Sequence, residues 1–280
     1  MKRQSLLIIL SLTAIILVSC AKVVFTGRRQ AKLIPSNQIN TLSFQQYDTF
    51  LKENPPVTSG AQLAMVRRVG LKIQQATEKY YRANGMADKL AEFQWAFNVV
   101  DDPNVNAFCM PGGKVVVYTG ILPITQDEDG LAVVMGHEVA HALAHHGNER
   151  MSQTLGLQGA LLAVQAAVTL GQGAPADTAE AARDARTKGA IMQAAGAGAQ
   201  VGVLLPFSRK HESEADEIGL YLMAIAGYNV DKAGPFWERM SAGGGERPPE
   251  FMSTHPDPEK RSQKLRELAV KAREMAAQYP

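Results

Sequence analysis

An α+β fold, rich in helices and with one small twisted sheet, is the fold class that the 280-residue sequence predicts. Two short segments read as strands: FQWAFNVV at 93–100 alternates large apolar with smaller or polar residues, and KVVVYTG at 114–120 follows a Pro-Gly-Gly turn. Apolar residues recur at helical spacing in the remaining segments, which are 61–85, the stretch after DEDG (127–130), 208–226 and 257–278. We expect the sheet to lie beside the helix that follows DEDG.

The composition excludes one broad class of function. The chain has 29 Lys and Arg against 27 Asp and Glu, and 46% of its residues are hydrophobic. Removal of an N-terminal signal containing Lys2 and Arg3 leaves 27 basic residues, so the charges balance. A nucleic-acid-binding protein normally carries a basic face, and no such stripe is visible. We therefore expect no nucleic-acid partner.

The N-terminus has the pattern of a secretory signal. Lys2 and Arg3 precede an uncharged apolar stretch from Leu6 to Val18, which is shorter than the roughly 20 residues of a membrane span. The stretch ends in Leu-Val-Ser-Cys, which resembles the bacterial lipobox. This resemblance implies a lipoprotein signal peptide at 1–19, a lipid on Cys20, and a periplasmic protein anchored to the outer membrane of a Gram-negative bacterium. An uncleaved anchor is the alternative.

The rest of the chain divides into a tether and a larger domain. Residues 20–57 form the tether and N-terminal segment, and 58–280 form the domain that carries the chemistry. The domain contains an insertion at 155–205 that is rich in Ala and Gly. Its glutamines, glycines and modest side chains favour a helical hairpin over a membrane helix. The second cysteine, Cys109, is left without a disulfide partner, so we interpret it as a core residue.

The segment GHEVAHALAHHGNERMS, which begins at Gly136, contains the motif HExxH. On a helix of about 100° per residue, His141 lies one turn after His137 and about 40° round from it, so both imidazoles can bind one metal ion. Glu138 is displaced sideways, where it can act as a general base without being a ligand. The motif therefore predicts a single catalytic Zn²⁺.

The third protein ligand must come from elsewhere in the chain. A histidine six residues after His141 would complete one known arrangement, but Gly147 stands there. The gluzincin arrangement instead takes a glutamate from a later helix. Glu212 and Asp216 are four residues apart and share a helix face, so Glu212 can reach the metal while Asp216 accepts the N–H of a ligand imidazole. By the same helical arithmetic Glu214 points away and is predicted to be exposed.

The other histidines have several interpretations. We expect His145 to be a cation at a helix C-terminus, His146 to support the site from outside the ligand set or to pack, and His211 to lie on the surface. His255 precedes the last helix in STHPDPEKR. It is either a structural residue or a catalytic one, placed above the metal as an oxyanion donor or a closing ligand.

Four ordered segments resemble the family-48 zinc metallopeptidases, which include the HtpX heat-shock protease, the CAAX prenyl protease and the periplasmic BepA- and LoiP-type proteases. They are NAFCMPGG, the HExxH segment, SRKHESEADEIGLYLMAIAGY and STHPDPEKR. The resemblance implies a zincin fold of the gluzincin type, with ligands His137, His141 and Glu212, base Glu138 and supporting Asp216. It also implies that KVVVYTG is the edge strand that pairs with an extended substrate.

The resemblance further implies an endopeptidase that acts on misfolded or stalled cell-envelope proteins. No tetratricopeptide repeat accompanies the motifs, unlike in BepA-type members. The alternative function is a latent or non-cleaving, chaperone-like lipoprotein that uses the same cleft. The intact ligand set and base argue against it, because a degenerate site would more often lose the base.

Overall fold

The structure is a computed structural model, and it describes residues 20–156, 208–242, 251, 255 and 258–280. The predicted signal peptide and nearly all of the predicted Ala- and Gly-rich insertion lie outside the described residues. The chain divides into two compact units. The larger unit comprises 21–30, 34–147 and 206–280. In the smaller unit, which includes 31–33 and 148–156, the Leu33 N–H donates to the Ser152 hydroxyl.

The N-terminal segment contains more regular structure than expected. Strand β1, Cys20–Lys22, pairs with β2, Arg29–Ala31, and an 18-residue helix α1 follows at Ser36–Glu53. Helix α2 spans Ala61–Ala83. It stops just before Gly85, whose φ of 70° is a left-handed conformation that favours glycine.

Three strands form the main sheet: β3 at Ala96–Val100, β4 at Ala107–Met110 and β5 at Lys114–Tyr118. Their order is β3-β5-β4, with β5 parallel to β3 and antiparallel to β4. Strand β5 is therefore central, and the prediction that KVVVYTG forms the edge strand is wrong. The middle valines of β5 are fully buried, as a strand covered on both faces requires.

The helix that carries HExxH follows a short helix α3, Leu122–Thr125. This helix, α4, spans Glu128–Leu143 and is capped by Asp127, whose side chain accepts the Gly130 N–H at 2.8 Å. Every residue of α4 from Gly130 onward is buried. A helix that is buried on all sides lies in the middle of a core, and α4 packs against β4 and α2.

Three further helices are described in the larger unit: α5 at Arg209–Ile225, α6 at Ala233–Ala242 and α7 at Pro258–Ala276. Helix α5 packs against both α4 and α7. Among the described residues, no helix is both long enough and apolar enough to cross a membrane. The predicted helix-rich α+β class with a small sheet beside the HExxH helix is confirmed, and β1 and β2 form a second, two-stranded sheet.

Glycines allow α4 and α5 to approach closely at their crossing. A Cβ atom on Gly136 would lie 2.9 Å from the Gly219 carbonyl oxygen, and one on Gly219 would lie 2.9 Å from the His137 nitrogen. Both distances are too short for real carbon atoms. The middle of α5 is thus held against the HExxH turn of α4.

Candidate metal centre

Four donor residues lie together: His137 and His141 from α4, Glu212 from the first turn of α5, and His255. One ligand atom from each lies within 4.8 Å of all the others, and all four residues are buried. The Nε2 atoms of His137 and His141 are 3.1 Å apart. Oxygens of the Glu212 carboxylate lie 3.4 and 3.3 Å from these two nitrogens. Two imidazoles and a carboxylate form a donor set that suits Zn²⁺, so the residues present fit the metal that the motif predicts.

Glu138 lies beside this cluster without joining it. Its carboxyl is buried, and Oε1 is 3.3 Å from His255 Nε2. Burial raises the pKa of Glu138, because an apolar environment disfavours the charged form. A carboxyl with a raised pKa next to a donor cluster can both take and return a proton.

Asp216 lies one turn after Glu212 and contacts the other side of a candidate ligand. Its Oδ1 is 3.1 Å from His137 Nδ1. Since a carboxylate only accepts hydrogen bonds, His137 donates from Nδ1 and keeps the Nε2 lone pair toward the cluster.

Arg261 of α7 is a functional residue that the sequence interpretation missed. Its Nε donates to Asp216 at 2.9 Å and its Nη1 to Glu212 at 3.0 Å, and the guanidinium lies 3.6 Å from the centroid of the Trp237 ring. This buried cation compensates two buried carboxylates. Its position within STHPDPEKR was the available signal, but a charged amphipathic helix offers many exposed cations of the same appearance.

The buried carboxylates remain ionised because they have partners. Burial opposes ionisation of Glu212, but its polar contacts with His137, His141 and His255 outweigh it and hold the pKa of Glu212 well below its ordinary value. The pKa of Asp216 is likewise lowered, against burial, first by the Arg261 charge and then by His137. The centre therefore presents charged oxygen donors at neutral pH.

His255 belongs to the donor cluster. Its Nδ1 lies 2.9 Å from Glu212 Oε2 and 3.1 Å from His137 Nε2. Neighbouring Phe251, fully buried, has its ring centroid 4.6 Å from that of His255. The His255 ring therefore reaches the position of a fourth donor.

The structure corrects two predictions about α5, and it also locates His146 and His145. Glu214 was expected to be exposed and His211 to lie on the surface, and both are buried. The N-terminal hairpin, defined as Ala21–Gln30, covers that face of the helix, since Arg28 pairs with Glu214 at 2.7 Å.

His146 is fully buried and its Nδ1 is 2.9 Å from His141 Nδ1. His145 follows the end of α4 in a left-handed conformation, with φ of 53°.

A helix carrying HExxH, a glutamate from a later helix and a small adjoining sheet define a zincin of the gluzincin type. Comparison with known proteins agrees with this class: the model of peptidase family M48 matches residues 69–269. The chain belongs to peptidase family M48. The predicted zincin fold and the predicted family are thereby confirmed.

Several relatives are metalloendopeptidases by name. The mitochondrial metalloendopeptidase OMA1 of Schizosaccharomyces pombe is 36% identical over 204 residues, which is 72% of this chain and 53% of that protein. OMA1 of Bos taurus is 30% identical over 269 residues, covering 89% of this chain and 46% of its own length. The beta-barrel assembly-enhancing protease of Escherichia coli is 28% identical over 192 residues, covering 65% of this chain and 36% of its own length. The chain thus spans about half the length of the OMA1 relatives and about a third of the bacterial one.

Proposed function

We propose that the protein is a zinc-dependent endopeptidase that cleaves misfolded or stalled proteins of the cell envelope. The observation that carries this proposal is the convergence of His137, His141 and Glu212 on one buried point beside Glu138. Membership of peptidase family M48 supports the reaction class. The named activities of the relatives support the same class.

The side chains divide the work of peptide hydrolysis. Zn²⁺ held by His137, His141 and Glu212 would polarise a scissile carbonyl and make water a stronger acid. Glu138 takes the proton of the attacking water and passes it to the leaving amine. Asp216 keeps the imidazole of His137 in its orientation by accepting the Nδ1–H.

The substrate backbone is proposed to pair with β4. This strand is the edge of the main sheet that packs against α4, and no described strand lies on its outer side. An extended peptide can add to such an edge through main-chain hydrogen bonds. This kind of binding depends on the backbone conformation of the peptide more than on its side chains. Unfolded segments, which expose their backbones, suit this mode.

The proposed compartment is the periplasm, with a lipid on Cys20 as the membrane anchor. The support is the lipobox-like sequence before Cys20 and the likeness to a bacterial beta-barrel assembly-enhancing protease. Other relatives are mitochondrial by name, so the similarity alone supports the reaction class more than the location.

The first prediction concerns Glu138. The substitution Glu138→Gln keeps the size of the side chain and removes its capacity to accept a proton, so cleavage of an unfolded protein such as casein should fall about 100-fold or more. Zinc content, measured by mass spectrometry on the full chain in detergent, should stay at one ion per chain.

The matched control is Glu217→Gln, which removes a carboxylate bonded only to Tyr221 among the described contacts. It should cleave like the wild type. If the wild type binds zinc and cuts no unfolded protein, the endopeptidase proposal is wrong, and the non-cleaving alternative is favoured. Equal cleavage by wild type and Glu138→Gln would contradict the assigned base.

A second prediction concerns the membrane anchor. The substitution Cys20→Ser removes the thiol that would carry the lipid, so the protein should move from the membrane fraction to the soluble periplasm. Metabolic labelling with a radioactive fatty acid should mark the wild type and leave Cys20→Ser unlabelled. Labelled Cys20→Ser protein would show that the lipid is elsewhere.

A third prediction concerns His255, which we propose would serve as a fourth protein donor when the metal is bound. The substitution His255→Ala leaves three protein donors, the number usual in a catalytic zinc site. Zinc should be retained, and casein cleavage should rise several-fold because one competitor for the open position is gone. A tenfold loss of turnover with zinc retained would instead support the oxyanion-donor role, and unchanged turnover would support a structural role.

A further inference from the structure

A chain of side-chain contacts connects His141 with the N-terminal hairpin. His146 Nδ1 is 2.9 Å from His141 Nδ1, and His146 Nε2 is 2.9 Å from Glu214 Oε2. Arg28 donates from Nε to the same carboxylate at 2.7 Å, and Thr26 donates to it from its hydroxyl. We call Thr26, Arg28, Glu214 and His146 the Glu214 relay.

Donor and acceptor roles along the relay follow from chemistry. A carboxylate only accepts, so the hydrogen lies on Nε2 of His146. The neutral ring of His146 then has a bare Nδ1, which accepts the Nδ1–H of His141. This leaves a lone pair on His141 Nε2, the nitrogen 3.3 Å from Glu212 Oε1. The reverse arrangement would put a hydrogen on the nitrogen that must bind the metal.

Packing holds the middle of the relay in one orientation. The His146 side chain is fully buried, and its ring stacks on that of His211 with centroids 4.4 Å apart and an interplanar angle of 23°. The relay thus has one rigid member between the carboxylate and the metal-facing imidazole.

Arg28 lies at the end of a tight turn in the hairpin, and two backbone hydrogen bonds close this turn. The Val23 N–H donates to the Arg28 carbonyl at 2.8 Å, and the Gly27 N–H donates to the Val23 carbonyl at 2.9 Å. Gly27 has φ of 68°, which suits glycine in this tight turn. The Arg28 side chain is only 15% exposed, and that of Glu214 is 6% exposed, so solvent screens their pairing weakly.

We propose that the N-terminal hairpin is a functional part of the metal centre. Arg28 and Glu214 are positioning residues that act through His146, and they hold the Nε2 lone pair of His141 toward the metal. The hairpin lies outside residues 69–269, the part that the family model matches. The inference rests on the metal role proposed for His137, His141 and Glu212. It extends that centre to a segment directly after the proposed lipid site.

The test measures the metal site without relying on turnover. Zinc affinity of the full chain in detergent is determined by competition with a chromogenic chelator, and the visible absorption spectrum of the Co²⁺-loaded protein reports ligand geometry. Loss of a partner that orients a ligand histidine typically weakens metal binding 10- to 100-fold. We expect Glu214→Gln to lose affinity in about that range and to shift the cobalt bands. Arg28→Ala should lose about tenfold.

Matched variants separate the relay from general damage. Arg29→Ala removes the exposed arginine next in sequence, and Glu217→Gln removes a carboxylate one turn along α5; both should match the wild type. Arg28→Lys keeps a positive charge beside Glu214 and should recover most of the affinity lost in Arg28→Ala. Circular dichroism of the metal-free proteins verifies that they are folded. If Glu214→Gln does not fold, the zinc affinities of Arg28→Ala and Arg28→Lys test the relay.

Wild-type affinity and cobalt spectra in folded Glu214→Gln and Arg28→Ala would overturn the inference. So would an equal loss in Arg29→Ala, which would indicate a loosened hairpin rather than a relay. If the wild type binds zinc but cleaves no unfolded protein, the proposed function is wrong. The affinity losses expected for the relay variants would still support the relay. Cleavage by the wild type with unchanged affinity in all variants would defeat the relay alone.

Discussion

The close crossing of α4 and α5 is the constraint on which the rest of the site depends. Gly136 and Gly219 meet there without room for a Cβ on either side. Because helix surfaces are normally kept apart by side chains, such a contact is available only to residues without them. It brings the first turns of α5 beside the HExxH turn of α4. Glu212 then reaches the two histidines of α4, and Asp216 reaches the outer nitrogen of His137.

Burying this many ionisable groups requires compensation. Glu212 and Asp216 lie deep in the larger unit, and Arg261 of α7 neutralises both while stacking on Trp237. On the other side of the centre, Glu214 is compensated by Arg28 from the N-terminal hairpin. Each of these three buried carboxylates thus has a cation from an element remote in sequence, which is the condition under which buried charges are tolerated. Residues that support the metal centre therefore come from positions as far apart in the sequence as Arg28 and Arg261.

Local sequence was sufficient for the features that depend on local spacing. The five-residue HExxH motif predicts two imidazoles on one helix face, and the four-residue spacing of Glu212 and Asp216 predicts a shared face, because helical geometry alone sets these relations. The structure brings these four side chains and Glu138 together. The helix boundaries at Ala61–Ala83 and Arg209–Ile225 also follow closely from periodicity and Gly stops.

The errors arose where the answer depends on distant parts of the chain. Helical arithmetic placed Glu214 on a different face of α5 from Glu212, but it could not show that the N-terminal hairpin covers that face. The edge position of β5 was inferred from the family resemblance, whereas β4, at Ala107–Met110, was not identified as a strand. Strand order is set by crossovers and not by local pattern, so the sequence offered no means of correcting it. Arg261 resembled any other cation of an amphipathic helix until packing placed it between two carboxylates.

The central claim is that one metal ion is held between α4 and α5, and anomalous X-ray scattering tests it most directly. Crystals of the zinc-loaded protein, measured on both sides of the zinc absorption edge, should show one strong peak per chain. The peak is expected about 2.0–2.2 Å from Nε2 of His137, Nε2 of His141 and a carboxylate oxygen of Glu212. A peak at Cys109 or on the surface, with none between the two helices, would contradict the account.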